Sequence, residues 1–255
     1  MFGQTPGKSW YFPTAVHAEA VHRLMYVAEN GEPFVLVQGN PGTGKTTVLQ
    51  QVHDECSRFG HSVSRISAAA LDAFSFLWNL AGSLTISLHD DVRMNQLMSS
   101  IRDELAGRAL CHHRTIVLID DIDRAIEDLS GAIDFLIAIN QQTDGFVSVV
   151  ASGDLSAPNN LTRRSVLKVD LPELDVDAAK VVALKRLKSL YVARTAFTDC
   201  AIDFLVQTAD GNMSRIERLC EVISVAHQAE PQALIDSLTL DSLMSETLLP
   251  QGLRI

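Results

Sequence analysis

The chain has 255 residues, of which 47% are hydrophobic and 20% are charged. This length accommodates one large domain or two modest ones, and the composition excludes wholesale disorder. The formal net charge of −10 argues against a protein that clamps nucleic acid over its whole surface, because such binding depends on neutralising phosphates. The net charge does not exclude a local basic patch that forms when copies of the chain assemble.

The first part of the chain alternates predicted helices and strands. Apolar residues at helical spacing predict a helix over 15–28, and an apolar run predicts a short buried strand over 33–38. The same patterns predict helix 46–59, strand 61–67, helices 71–80 and 92–110, strand 115–119, helix 129–140 and strand 146–151. Strands that alternate with helices in this way favour a parallel sheet covered by helices.

The pattern changes near Leu171 and Pro172. Beyond this point the periodicity predicts only helices, over 175–191, 198–209, 214–230 and 231–243. The first three begin at residues that suit an N-cap, and the fourth begins at a proline that suits a first helical position: Asp175, Thr198, Ser214 and Pro231. The sequence therefore predicts an α/β domain over 1–170 and a small all-helical domain over 171–255.

No segment of the sequence indicates export or membrane insertion. The N-terminus lacks the apolar core of a signal peptide, and the apolar-rich stretch 74–88 is interrupted by polar residues and glycine. Four cysteines form no C-x-x-C pair, and the Cys111-His112-His113 group has no second Cys/His pair at zinc-finger spacing. We therefore expect reduced thiols in a cytoplasmic protein.

The segment GNPGTGKT, residues 39–46, matches the phosphate-binding pattern G-x-x-x-x-G-K-[ST] in full. Glycines allow positive φ and bring successive N–H groups onto phosphate oxygens, and the following helix adds its positive dipole end. Lys45 suits the β and γ phosphates, and the Thr46 hydroxyl suits Mg²⁺. The predicted ATP-binding residues are Gly39, Asn40, Pro41, Gly42, Thr43, Gly44, Lys45, Thr46 and Thr47.

A second carboxylate for the metal is predicted at the end of the segment TIVLIDDID. Asp120 follows a continuous apolar strand, and the carboxyl ends of parallel strands open onto the ligand crevice. We therefore expect Asp120 to face the Mg²⁺ that Thr46 holds. Asp121, the next residue, suits the role of the group that orients or polarises the attacking water.

Two arginines suit the transition state of phosphoryl transfer. Arg164 lies shortly after the strand that ends at Ser152, and Arg215 follows a Gly-Asn turn at the start of a predicted helix. Arginines at such positions stabilise the developing charge, either in the same chain or from a neighbour. No N-K-x-D element follows the core strands, so a small GTPase is disfavoured.

The chain resembles the AAA+ ATPases of the general secretion pathway protein A (ExeA) type, whose relatives are the TniB and TnsC transposition ATPases. The resemblance is carried by FPTAVHAEAVHRLMYVAENGEPFVLVQGNPGTGKTTVL, LTRRSVLKVDLPEL and DGNMSRIERLC, in that order along the chain. It implies a three-layer αβα core with a helical lid. It also implies that Arg164 is an arginine finger acting on a neighbouring subunit, so that the chain forms homo-oligomers, and that Arg215 is the sensor-2 arginine.

The resemblance leaves the output of the ATPase open. Its first implication is a factor that remodels a protein client of secretion or pilus machinery. The alternatives are an ATP-switched regulator of transposition that binds DNA, and a slow signalling switch of the STAND type. The family usually carries Glu where this chain has Asp121, so we expect slow hydrolysis. Lys180, Lys185, Arg186 and Lys188 form the only basic stripe that the sequence suggests for DNA.

Overall fold

The structure is a computed structural model, and it describes residues 12–89, 91–154, 160–229 and 234–248. The chain divides into two compact units: Ala15–Leu171, and a second unit that joins Met1–Thr14 with Pro172–Ile255. The division into domains over 1–170 and 171–255 stays a prediction.

The first unit is built from alternating strands and helices. In chain order its elements are α1 (Ala15–Asn30), β1 (Phe34–Gln38), α2 (Lys45–Arg58), β2 (Ser62–Ser67), α3 (Ala73–Ser83), α4 (Met94–Leu110), β3 (Thr115–Asp120), α5 (Ser130–Gln142), β4 (Val147–Gly153), α6 (Asn160–Arg164) and β5 (Leu167–Asp170). A short 3-10 turn, Ile122–Arg124, follows β3.

These strands form one parallel sheet in the order β2-β3-β4-β1-β5. Alternate residues of β1 point to opposite faces, as the pleat of a strand requires. Phe34 and Leu36 pack in the core shared with α3, α4 and α5. Val35 and Val37 pack in the core shared with α1 and α2. The sheet is thus buried on both sides, which explains the continuous apolar runs of β1 and β3.

The position of β4 brings three chemically important strand ends together. It lies between β1 and β3, with Gln38 paired to Gly153 and Ile119 paired to Ala151. Because all three strands are parallel, their carboxyl ends lie at the same edge of the sheet. The loop that follows β1, Ser152 of β4 and Asp120 of β3 therefore share that edge.

The sequence patterns missed β5 and the short helix α6, and they placed the starts of α3 and α4 two residues too early. β5 has only four residues at the edge of the sheet, and only Val169 among them is fully buried, so no hydrophobic run marks it. Helix α3 begins at Ala73 rather than at the predicted Leu71. The side chain of Asp72 caps this helix and accepts a hydrogen bond from the N–H of Ser75 at 2.7 Å.

The second unit has its own helical core. Its helices are α7 (Val176–Ser189), α8 (Asp199–Ala209), α9 (Met213–Ala229) and α10 (Ser237–Leu248). Asp175 and Thr198 cap α7 and α8 as predicted. The predicted cap at Ser214 is wrong, because the Asn212 side chain accepts from the N–H of Arg215 at 3.1 Å, one turn into α9. The predicted helix start at Pro231 lies outside the described residues.

No helix within the described ranges is both long and apolar enough to cross a bilayer.

Candidate functional site

The loop between β1 and α2 has the backbone of a phosphate-binding loop. Gly42 and Gly44 adopt left-handed φ values of 87° and 96°, which side chains with a Cβ rarely tolerate. A Cβ at Gly39 would lie 2.5 Å from the carbonyl oxygen of Leu171, and one at Gly44 would lie 2.6 Å from Nε2 of His17. Both positions therefore require glycine in this fold.

The N-terminus of α2 is open to an anion. Its N-cap is Gly44, which has no side chain to accept from the first-turn N–H groups, and no acidic residue lies in that turn. Unpaired N–H groups and the helix dipole together attract phosphate oxygens. The ammonium group of Lys45 lies at the same loop, where its Nζ donates to the carbonyls of Gly39 at 2.7 Å and Asn40 at 3.0 Å.

His17 of α1 is hydrogen-bonded to this loop. Its side chain is 2% exposed, and its Nε2 donates a hydrogen bond to the carbonyl of Thr43 at 2.8 Å. Thr43 is buried as well, and its hydroxyl donates to the carbonyl of Asn40 at 2.9 Å. The loop is thus tied to α1 and to itself, so its N–H groups are held in place before any ligand binds.

Asp120 is buried at the end of β3 and is held by three donors. Its Oδ1 accepts from the Ser152 hydroxyl at 2.6 Å and from the N–H of Asp121 at 3.2 Å. Its Oδ2 accepts from a guanidinium nitrogen of Arg65 at 3.3 Å. Arg65 in turn donates to the Gln50 side chain of α2. A carboxylate this well fixed is suited to a metal ion that also contacts a substrate phosphate.

Thr46 and Asp120 fit a magnesium site of the kind that substrate phosphates complete. Thr46 is exposed at the first turn of α2, and its hydroxyl and the Asp120 carboxylate are hard oxygen ligands. Mg²⁺ is commonly bound by one or two protein oxygens together with phosphates and water. In the part of the chain that the structure describes, no group of three or more His, Cys, Asp or Glu side chains could hold a metal ion, so the remaining ligands would come from substrate and water.

Asp121 stands beside Asp120 in an unusual backbone conformation. Its φ of 53° and ψ of 43° are left-handed, and it caps the short 3-10 turn that follows β3. Asp and Asn tolerate this region better than Glu does. The half-buried Asp121 residue thus occupies a backbone conformation that suits Asp.

The two predicted arginines, Arg164 and Arg215, lie in different units of the structure. Arg164, at the end of α6, makes a two-point ion pair with Asp134 of α5, and one of its two hydrogen bonds measures 2.7 Å. This contact raises the pKa of the Arg164 guanidinium. Arg215 lies in the second unit, where its side chain is exposed in the first turn of α9.

Sequence patterns did not assign a role to four residues that shape this site: His17, Gln50, Arg65 and Ser152. His17 stands in the HAEA segment and Ser152 ends an apolar strand, so both carried a signal. Gln50 and Arg65 carried none, because a polar residue on a helix or strand usually indicates only a solvated face. Their partners lie 15 and 55 positions away in sequence.

Comparison with known proteins supports the family resemblance. A family model described as an AAA domain matches residues 28–161. General secretion pathway protein A of Aeromonas hydrophila is 24% identical over 237 residues, which cover 88% of this chain and 42% of that protein. The resemblance inferred from the sequence is therefore confirmed, and the chain spans less than half the length of this relative.

Solved structures share the fold. Drosophila ORC, in a structure bound to DNA, matches with a TM-score of 0.70 and 14% identity over 98% of this chain and 71% of that chain. Cdc6p from Pyrobaculum aerophilum matches with a TM-score of 0.71 and 15% identity over 90% of this chain and 66% of that chain. RuvB from Thermotoga maritima, a Holliday junction branch migration motor, matches with a TM-score of 0.59 and 17% identity over 93% of this chain and 70% of that chain. The predicted P-loop fold is thus confirmed; identities this low indicate fold alone.

Proposed function

The chain belongs to the AAA domain family, and on that premise we propose that it binds ATP at Gly39–Thr47 and hydrolyses it to ADP and phosphate. One observation carries the proposal. The glycine loop at the open N-terminus of α2 and the buried Asp120 carboxylate lie at the same edge of one parallel sheet. That combination provides an anion cradle beside a metal ligand, which phosphoryl transfer requires.

The residues of the loop divide the work of binding. First-turn N–H groups of α2 hold the phosphate oxygens, and Lys45 exchanges its carbonyl acceptors for the β and γ phosphates. Thr46 and Asp120 would hold Mg²⁺, which neutralises charge on the phosphates. His17 keeps the loop in its binding conformation through Thr43.

Asp121 is proposed to orient the attacking water. The variant Asp121→Asn tests this role cleanly, because Asn also tolerates the left-handed conformation while removing the negative charge. We expect ATP binding to persist and turnover to fall by about 100-fold or more, the size typical of losing a positioned proton acceptor. Unchanged turnover would rule out Asp121 as the base. Slow turnover in the unmodified chain is part of the proposal, because Asp121 is shorter than the Glu that the family usually carries. Misplacing a catalytic carboxylate by about 1 Å can lower the rate roughly 100-fold.

Arg164 is proposed to act on the nucleotide of a neighbouring subunit, and Arg215 on the phosphates within its own chain. Under this proposal ATP promotes self-assembly, and the pair between Arg164 and Asp134 opens when a neighbour arrives. Light scattering with a non-hydrolysable ATP analogue should show assembly that Arg164→Ala prevents and Asp134→Ala promotes. Arg163→Ala is the matched control, because Arg163 is the exposed neighbour in sequence. A strict monomer at saturating analogue would contradict the proposal.

The output that we propose is remodelling of a partner complex in the cytoplasm, on the model of the secretion relative. DNA binding has weaker support, because two of the four residues of the suggested basic stripe are paired with acidic side chains: Lys180 with Asp203, and Arg186 with Glu221. A salt titration of ATP-dependent DNA binding separates the two outputs. Tight binding that weakens steeply with salt would favour the transposition-type alternative, and no binding at low salt would exclude it.

A further inference from the structure

Arg65 lies where a positive charge affects the proposed metal site directly. It is on β2, next to the strand that carries Asp120. Its guanidinium is 3.3 Å from Oδ2 of Asp120, and the two side chains are only 28% and 6% exposed. The other branch of the guanidinium donates to Gln50 of α2. Both contacts restrict the guanidinium to one orientation beside the carboxylate.

The two oxygens of Asp120 have different partners. Oδ1 accepts from Ser152 and from the backbone of Asp121. Within the described ranges, Oδ2 accepts its hydrogen bond from Arg65. Oδ2, with one donor against two on Oδ1, is therefore the oxygen that would be more available to a metal ion, which would have to displace or share the contact with Arg65.

We propose that Arg65 competes with the divalent cation for Oδ2 of Asp120 and thereby sets the metal affinity of the site. This inference rests on the proposed function. Without metal, the guanidinium supplies the positive charge that a buried carboxylate needs. With metal, the same guanidinium repels the cation at short range. Arg65 is thus a positioning residue that lowers the affinity of the site for the cation.

Gln50 gives this competition a route to the phosphate loop. It lies four residues after Thr46 on α2, so both residues are on the same side of the helix. The contacts from Gln50 to Arg65 to Asp120 therefore join the helix that carries one proposed metal ligand to the strand that carries the other. If Arg65 gave up Asp120 to a metal ion, the restraint from β3 on this side of α2 would be released.

The test measures Mg²⁺ affinity and stability rather than turnover. Binding of a fluorescent ADP analogue is titrated with Mg²⁺ for the unmodified chain, Arg65→Gln, Arg65→Lys and Gln50→Met. We expect Arg65→Gln to lower the Mg²⁺ concentration at half-maximal binding by about tenfold, because one nearby positive charge is lost. Arg65→Lys keeps the charge and should stay near the unmodified value. Gln50→Met leaves Arg65 less restrained and should shift the midpoint in the same direction as Arg65→Gln by a smaller factor.

Thermal unfolding in EDTA supplies the second measurement. Arg65→Gln should lower the midpoint by about 5 °C, since Asp120 then lacks its cation, and saturating Mg²⁺ with the analogue should remove most of that difference. The inference would be overturned if Arg65→Gln left the Mg²⁺ concentration at half-maximal binding unchanged or raised it. It would also be overturned if Arg65→Gln lowered the unfolding temperature equally with and without Mg²⁺. Failure of the unmodified chain to bind the analogue would instead refute the proposed function. If Arg65→Gln does not fold, Gln50→Met decides the question by the direction of its Mg²⁺ shift.

Discussion

Replacing Gly44 with alanine tests whether α1 and the phosphate-binding loop are packed as the structure shows. Gly44 has a φ of 96°, and an added Cβ would stand 2.6 Å from Nε2 of His17. His17 cannot retreat easily, because it is 2% exposed and bonded to the carbonyl of Thr43. The substitution therefore imposes both backbone strain and a steric clash.

Gly60 separates these two costs. It has a comparable φ of 81°, but an added Cβ would meet no atom within 4 Å. Gly60→Ala should thus cost about 1–2 kcal/mol of unfolding free energy, the strain of a left-handed alanine. Gly44→Ala should cost about 3 kcal/mol, because it adds the clash and the loss of the hydrogen bond from His17, itself worth about 1 kcal/mol.

A double-mutant cycle in urea unfolding measures the difference. In a His17→Ala background the clash is absent, so Gly44→Ala should cost only about as much as Gly60→Ala does in the unmodified chain, about 1–2 kcal/mol. Equal costs of Gly44→Ala and Gly60→Ala with His17 present would refute the packing described here. The same conclusion would follow if removing His17 left the cost of Gly44→Ala unchanged.

Two further predictions concern buried polar groups. Ser152→Ala removes a 2.6 Å hydrogen bond to the buried Asp120 carboxylate and should lower the unfolding free energy by about 1.5–3 kcal/mol. Ser64→Ala is the control, since the Ser64 hydroxyl is buried without a hydrogen-bond partner within the described residues, and its removal should leave the unfolding free energy unchanged. Equal losses of unfolding free energy in the two variants would contradict a stabilising hydrogen bond from Ser152 to Asp120. Burial raises the pKa of two thiols to about 12, so a thiol reagent at pH 8 should label only the exposed pair until urea is added, and early labelling of all four would contradict this. The protected thiols are Cys56 and Cys220, and the exposed ones are Cys111 and Cys200.

Sequence patterns predicted the sheet, the phosphate-binding loop and Asp120, because each depends on local spacing or on a continuous apolar run. They could not predict contacts between residues that lie far apart in the sequence. The bond between Ser152 and Asp120 depends on the strand order, which places β4 beside β3. The ion pair between Arg164 and Asp134 spans 30 positions, and neither residue carries a local signal for it. β5 was missed for a related reason, since an edge strand with one fully buried residue lacks the pattern of a core strand.

The most direct test of the central proposal is calorimetric titration of Mg·ATP into the unmodified chain and into Lys45→Ala. Lys45 is bonded to carbonyls of the loop itself, and its removal leaves the glycine backbone and the open end of α2 in place. We expect saturable binding of one ATP for each chain and a loss of affinity of about 100-fold in Lys45→Ala, the size of a lost charged hydrogen bond. Absence of binding to the unmodified chain, or equal binding by both proteins, would contradict the proposal.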